Sequence, residues 1–287
     1  MSQSLDQAAI AAFDAQVKHA YQQQGRLRHT VRVRNNVNAA TYRFPKLGKG
    51  QATVRVPQTD VTPMNVSHTN VTATLENWNA AEYTDIFDQA VVNFDEKSEL
   101  AFVIGGAITR REDQLILDAL DAASTTLTVS TNIGGTATNL NTAKVRRAKK
   151  LLVDQGMVFG KSDKSQGPMN TFVIGASQLE ALLGDSDAST IDKNAIKVLF
   201  DGEITHWVGF EFITIETRAE GGLPVATSVR TCYAYNGMAA GLAIGIDFRT
   251  EINYIPQKTS WLTNGLFKAG AVAVDALGIV EVSCTEA

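Results

Sequence analysis

The chain has 287 residues, of which 44% are hydrophobic and 20% charged, and a formal net charge of −4. That is the composition of a globular protein with a substantial core, arranged as one elaborate domain or two modest ones, and its negative balance argues against a dedicated nucleic-acid binder. Two cysteines, Cys232 and Cys284, form no disulfide framework and read as buried free thiols in a reducing compartment; the start MSQSLDQ lacks the features of a signal peptide, and the apolar run Ala269 to Val282 is too short and too broken, by Asp275, to span a membrane.

In chain order, Ser4 and Gln7 have capping-box spacing, and Ile10, Phe13, Val17, Ala20 and Tyr21 mark one face of a helix ending near Gly25. The period then changes to two in Val31 to Arg34 and in Thr41 to Phe44, so the chain becomes extended. Pro45 to Gly50 reads as a turn, Ala52 to Val56 as a strand, Pro57 and Pro63 as part of a link, and Val71 to Leu75 as a second strand. The resulting hairpin has few large apolar residues; a two-stranded ribbon is marginal alone in water, so it must lie on something.

From Asp95 to Ala123 the spacing of Leu100, Val103, Ile104, Ala107, Ile108, Leu115, Ala119 and Ala122 predicts one long helix. At 1.5 Å per residue it runs about 43 Å, with Asp95 as its cap and Glu96 and Glu99 favoured by the helix dipole. Gly105 and Gly106 weaken its middle, so another backbone is expected to pack closely there. A Thr/Asn/Gly-rich connection, Ser124 to Thr142, leads to a helix at Ala143 to Gln155 whose exposed side is expected to carry Lys144, Arg146, Arg147, Lys149 and Lys150. Strands at Thr171 to Ile174, Phe210 to Ile215 and Val229 to Tyr235 alternate with helices at Ser177 to Leu183 and Lys193 to Phe200. This is α+β order. The last segment, Phe248 to Val282, alternates again and is expected to return beside the long helix.

Charge is segregated along the chain. No acidic residue lies between Asp14 and Asp60, where Arg26, Arg28, Arg32, Arg34, Arg43, Lys46, Lys49 and Arg55 stand; from Glu82 to Asp121 the balance reverses, with Asp95, Glu96, Glu99, Glu112, Asp113, Asp118 and Asp121 on or beside the long helix. One reading is that the basic arm and hairpin of one subunit lie across the acidic helix of a neighbour. Each exposed pair is worth only about 0 to 1 kcal/mol, so such contacts guide register more than they fix affinity. Two solvated faces of one molecule, or arginines on nucleic-acid phosphates, are the other readings of the same charges.

No constellation of residues carries catalytic chemistry. Gly156 to Ser162 lacks one residue of a phosphate-binding loop and follows its helix instead of preceding it. Asp185, Asp187 and Asp192 have no glycine at the sixth position of a calcium loop and Ile196 where its bidentate glutamate belongs. The histidines His19, His29, His68 and His206 are scattered, and Ser177 after Gly175 and Ala176 reads as a helix cap, not a nucleophile. No catalytic residue, metal ligand or cofactor site is predicted.

With the hairpin, the long helix and the returning strands laid out, RFPKLGKG at Arg43 to Gly50, the block Asn93 to Leu120 and FDGEITHWVGFEF at Phe200 to Phe212 resemble the major capsid protein of tailed double-stranded DNA bacteriophages, the HK97-like fold, and look closest to its T7-like branch. The resemblance implies an α+β fold with an N-terminal arm at 1–45, an extended loop at 46–77, a peripheral domain at 78–140 and 250–287 holding the spine helix at 95–123, and an axial domain at 141–249. It further implies a non-enzymatic coat protein forming pentamers and hexamers of an icosahedral shell, in the virion, assembled in the host bacterial cytoplasm. The extended loop would reach over a neighbour. Partners would be a separate scaffolding protein, a portal, in some cases a cement or decoration protein, and packaged DNA held non-specifically on the inner face. Some members join subunits through a Lys and an Asn, and Lys46 and Lys49 lie in the right region. A cellular nanocompartment shell of the same fold and, more distantly, a decoration protein are the alternatives.

Overall fold

In the computed structural model, which describes residues 23–89, 95–157, 170–185 and 206–286, two sheets share one apolar core. The first sheet has the order β1-β11-β12-β4, from Arg32–Arg34, Ala240–Ile255, Ser260–Ala273 and Glu76–Asp85. The second runs β5-β13-β10-β6-β8-β7, from Thr128–Val129, Ile279–Thr285, Val229–Asn236, Asn170–Gly175, Phe210–Ile215 and His206–Trp207, with β9 at Val225–Ala226 pairing β10. A separate hairpin joins β2, Thr41–Leu47, to β3, His68–Thr74.

The long helix α2 spans Glu96–Asp121, about 39 Å at 1.5 Å per residue, after a single turn, α1, at Ile86–Gln89. It packs along β12, β11 and β4, so the terminal segment does return beside it. Its buried face includes Ile104, Ile108, Ile116, Leu117, Ala119 and Leu120, which meet the 3.6-residue period, while Val103 is exposed. Asp95 stands at the N-cap, yet its side chain makes no capping bond; its carbonyl instead accepts from the N–H groups of Ser98 at 3.2 Å and Glu99 at 3.3 Å.

The expected backbone approach at Gly105 and Gly106 does not occur there. A Cβ on Gly105 would only touch the Phe248 ring at 3.5 Å, and one on Gly106 would meet the helix's own Arg110 side chain at 3.2 Å. The close approaches come from the other side of each contact. A Cβ on Gly25 would collide with the Thr109 carbonyl, and one on Gly265 of β12 would lie 2.5 Å from Ile104 Cγ2. The glycines that let α2 seat tightly thus belong to the elements it packs on.

The hairpin also differs from expectation. Ala52 to Val56 is not a strand; pairing runs from Thr41 opposite Thr74 to Leu47 opposite His68, and residues 48–67 form an irregular tip. Alternation alone does not make a strand where no partner lies within reach. A small satellite core of Phe44, Ala73, Leu75, Ala243 and Val274 holds the base of the hairpin to the first sheet.

Helix α3, Thr142–Asp154, is capped by Asn141, whose side chain accepts from the Lys144 N–H at 2.9 Å. Lys144 is not on its exposed side. It shares the buried face with Val145, Ala148 and Leu152, and its ammonium donates to the Thr138 carbonyl at 2.6 Å and the Ser283 carbonyl at 2.8 Å. Helix α4, Ala176–Leu183, has Gly175 at its N-cap, so Ser177 is no cap; its hydroxyl accepts from the Asn139 amide at 3.2 Å. Cys232 and Cys284 are free and buried, as expected. The predicted helices ending near Gly25 and at Lys193 to Phe200, and nearly all of both loops weighed as phosphate or calcium sites, lie outside the described residues.

Candidate subunit interface

The charged residues singled out by sequence separate into two groups. The first is consumed inside the subunit. Asp113, 1% exposed, accepts from the N–H groups of Arg26, at 3.1 and 3.0 Å, and Leu27, at 2.9 Å, and pairs with Arg218 at 3.0 Å. Burial pushes its carboxyl up in pKa, against those donors. Glu112, 5% exposed, lies 3.5 Å from Arg28 Nε, while the same guanidinium donates twice to Asp247, at 2.9 and 2.8 Å. Asp247 sits in β11 where its register against β12 shifts between Ile246 and Arg249, an irregularity that re-aims side chains. Glu112 and Asp113 are therefore no part of an accessible acidic surface; Asp113 holds the chain's own arm to α2, and Glu112 lies buried beside Arg28.

The loop is tied down in the same way. Lys46 pairs with Asp275 at 2.8 Å, and Lys49 donates to the Gln155 carbonyl at 3.1 Å at the end of α3. Arg32 of β1 lies over the Phe44 ring, 5.6 Å from its centre. Asp121 accepts from the Tyr233 hydroxyl at 2.7 Å and Asp118 from Gln114 at 2.5 Å, though both keep exposed positions.

The second group faces outward. Arg34, Arg43 and Arg55 are exposed and make no ion pair among the described residues, and the Arg26 side chain is exposed. Asp95, Asp118 and Asp121 are exposed on or beside α2, with Glu96 and Glu99 half-buried in its first turn. Sequence reasoning missed the partners Arg218, Asp247 and Asp275, for which no local pattern gives a signal.

The apolar surface is equally uneven. The tip of the hairpin exposes Val54, at 95%, with Val56, Val61 and Met64, next to exposed Leu47 at the end of β2, and a second group, Phe102, Val103, Phe248, Ile252 and Tyr254, is exposed on α2 and the outer half of β11. A hydrocarbon side chain left wholly in water forgoes about 1.5 to 3 kcal/mol of burial, so grouped exposed apolar side chains make this surface a candidate contact. No helix among the described residues is long and apolar enough to cross a membrane, and no group of three potential metal ligands occurs among them.

A family model described as phage capsid protein matches residues 5–286. Solved structures similar to this chain include the acidic stable capsid of Helicobacter pylori bacteriophage KHP30, at TM-score 0.76 and 11% identity, covering 99% of this chain and 98% of that one. The head of Helicobacter pylori bacteriophage KHP40 matches at 0.74 and 10%, covering 99% and 97%, and the capsid of cyanophage P-SCSP1u at 0.73 and 14%, covering 100% and 96%. At such identities the likeness is one of fold. No curated protein matches the chain.

Proposed function

This chain belongs to the phage capsid protein family and is a major capsid protein, and we propose that its copies assemble as pentamers and hexamers of an icosahedral shell around a double-stranded DNA genome. The observation that carries the reading is the family match over nearly the whole chain. We assign the segments as an arm at 1–45, an extended loop at 46–77, a peripheral domain at 78–140 with 250–287, and an axial domain at 141–249. The role is structural, with no catalytic step. The T7-like branch is the affiliation we favour, on the resemblance carried by the runs Arg43 to Gly50, Asn93 to Leu120 and Phe200 to Phe212. A separate scaffolding protein, a portal and non-specific contact with packaged DNA complete the proposed partners, with assembly in the host bacterial cytoplasm.

The subunit contact we propose pairs the outward charges with each other: Arg26, Arg34, Arg43 and Arg55 of one copy against Asp95, Glu96, Glu99, Asp118 and Asp121 of another, around the apolar tip of the loop. Support comes from the exposure of Arg26, Arg34, Arg43, Arg55, Asp95, Asp118 and Asp121 together with that of Val54 and Met64. Negative-stain electron microscopy of the purified protein across a salt series tests it. Closed shells or capsomer-sized rings are expected, loosening as salt screens the exposed pairs beyond about 10 Å at 0.1 M. Monomers at high concentration, even with the phage's scaffolding protein present, would refute the shell reading; shells indifferent to salt and to Arg34→Glu with Arg43→Glu would refute the charge-guided contact.

A further inference from the structure

Where the arm meets the flank of α2, three carboxylates, Glu112, Asp113 and Asp247, face Arg28 and Arg218, and a fourth, Glu216, also pairs with Arg218 at 3.3 Å. Two of the three are fully served. Asp113 receives two backbone N–H groups and Arg218, and Asp247 takes both terminal nitrogens of Arg28. Glu112 is left over. Its side chain is buried, its Oε1 has no hydrogen-bond donor, and its nearest cation is Arg28 Nε at 3.5 Å, in a guanidinium already committed to Asp247. The charged groups facing it are Arg28 from the arm, Asp113 from its own helix and Asp247 from β11. A surplus negative charge on a side chain only 7% exposed is costly, and a proton removes it.

We propose that Glu112 is a proton-operated latch on the root of the arm, neutral while residues 26–28 are docked on α2 and ionised once they lift away. Burial, reinforced by Asp113 and Asp247 and opposed by Arg28, pushes the carboxyl up to about 7 from its ordinary 4.5. The sign follows from linkage. A carboxyl whose pKa is raised in the docked state favours docking at low pH, and that preference is lost as pH rises from 4.5 through 7 and is flat above. The opening constant of the arm root then increases about tenfold between pH 6 and pH 8. The latch belongs to one subunit and is read on unassembled chains, so it stands or falls apart from the shell.

Hydrogen exchange of the peptide covering residues 23–31 in the full-length chain, corrected for the intrinsic pH dependence of exchange, measures that opening. Wild type is expected to lose about tenfold in protection over this range and Glu112→Gln to stay flat; equal, flat profiles in both would overturn the latch. Asp247→Asn gives a second reading that does not require Glu112→Gln to fold. It frees Arg28 for Glu112 and removes a repelling charge, so the midpoint is expected to move to lower pH. An unmoved midpoint would overturn the proposal as well.

Discussion

The two sheets of this subunit are finished to different degrees. Every residue of β6 is buried, β10 is buried along most of its length, and α3 and α4 pack on the sheet around them. In the other sheet, the distal half of β11 is mostly exposed and the adjoining hairpin projects Val54, Val56 and Met64 into solvent. One region satisfies itself within a single chain and sets the stability of the fold. The other satisfies itself only in company, as a coat subunit must.

That contrast can be broken or sharpened by mutation. Phe172 is fully buried, stacked on Phe212 at 5.2 Å and edge-on to Phe210 at 5.5 Å; Phe172→Ala is expected to cost about 3–5 kcal/mol in urea unfolding of the subunit. Lys144→Met removes the donor from two half-buried carbonyls and is expected to cost about 2 kcal/mol in the same assay. A variant as stable as wild type would mean that the buried ammonium is a desolvation burden equal to its bonds. Combined Val54→Ser, Val56→Ser and Met64→Ser should change subunit stability by less than about 0.5 kcal/mol, yet abolish particles in sedimentation. Particles that persist would show that the loop tip is not an assembly contact. Lys46→Gln, which breaks the pair with Asp275, should cost about 0.5 kcal/mol at low salt and nothing measurable at high salt, by thermal unfolding.

The finished region was the more legible. The second sheet and its helices announce themselves by apolar runs that meet a period of two or 3.6, and α2 was readable to within two residues at each end. The first sheet was read less well because its pairing is decided at a distance. Glu76–Asp85 has no β-branched run and became a strand because β12 offers ten successive partners, whereas Ala52 to Val56 alternates correctly and has none. At the candidate interface, the charges were found but their partners were not. Sequence charge alone puts Glu112 and Asp113 on a surface for a neighbour, whereas the subunit's own arm takes Asp113 and buries Glu112 beside Arg28. Lys144 carried a usable signal: four residues before Ala148, it lies on the apolar face of α3 despite the run of bases around it.

The short pairing of β1 leaves one more consequence. Arg32–Arg34 covers β11 only from Gly241 to Ala243, and after the single bond from Val37 N–H to the Ile244 carbonyl at 3.0 Å no described strand pairs its outer edge. Among the described residues that edge is an open ribbon of backbone donors and acceptors, a template for uncontrolled strand addition blunted by Asp247, Arg249 and Glu251 along it. In an infected cell, that makes subunit synthesis a race. Ordered association has to consume new chains faster than their bare edges find each other, and the charges along the edge set how much time the race allows.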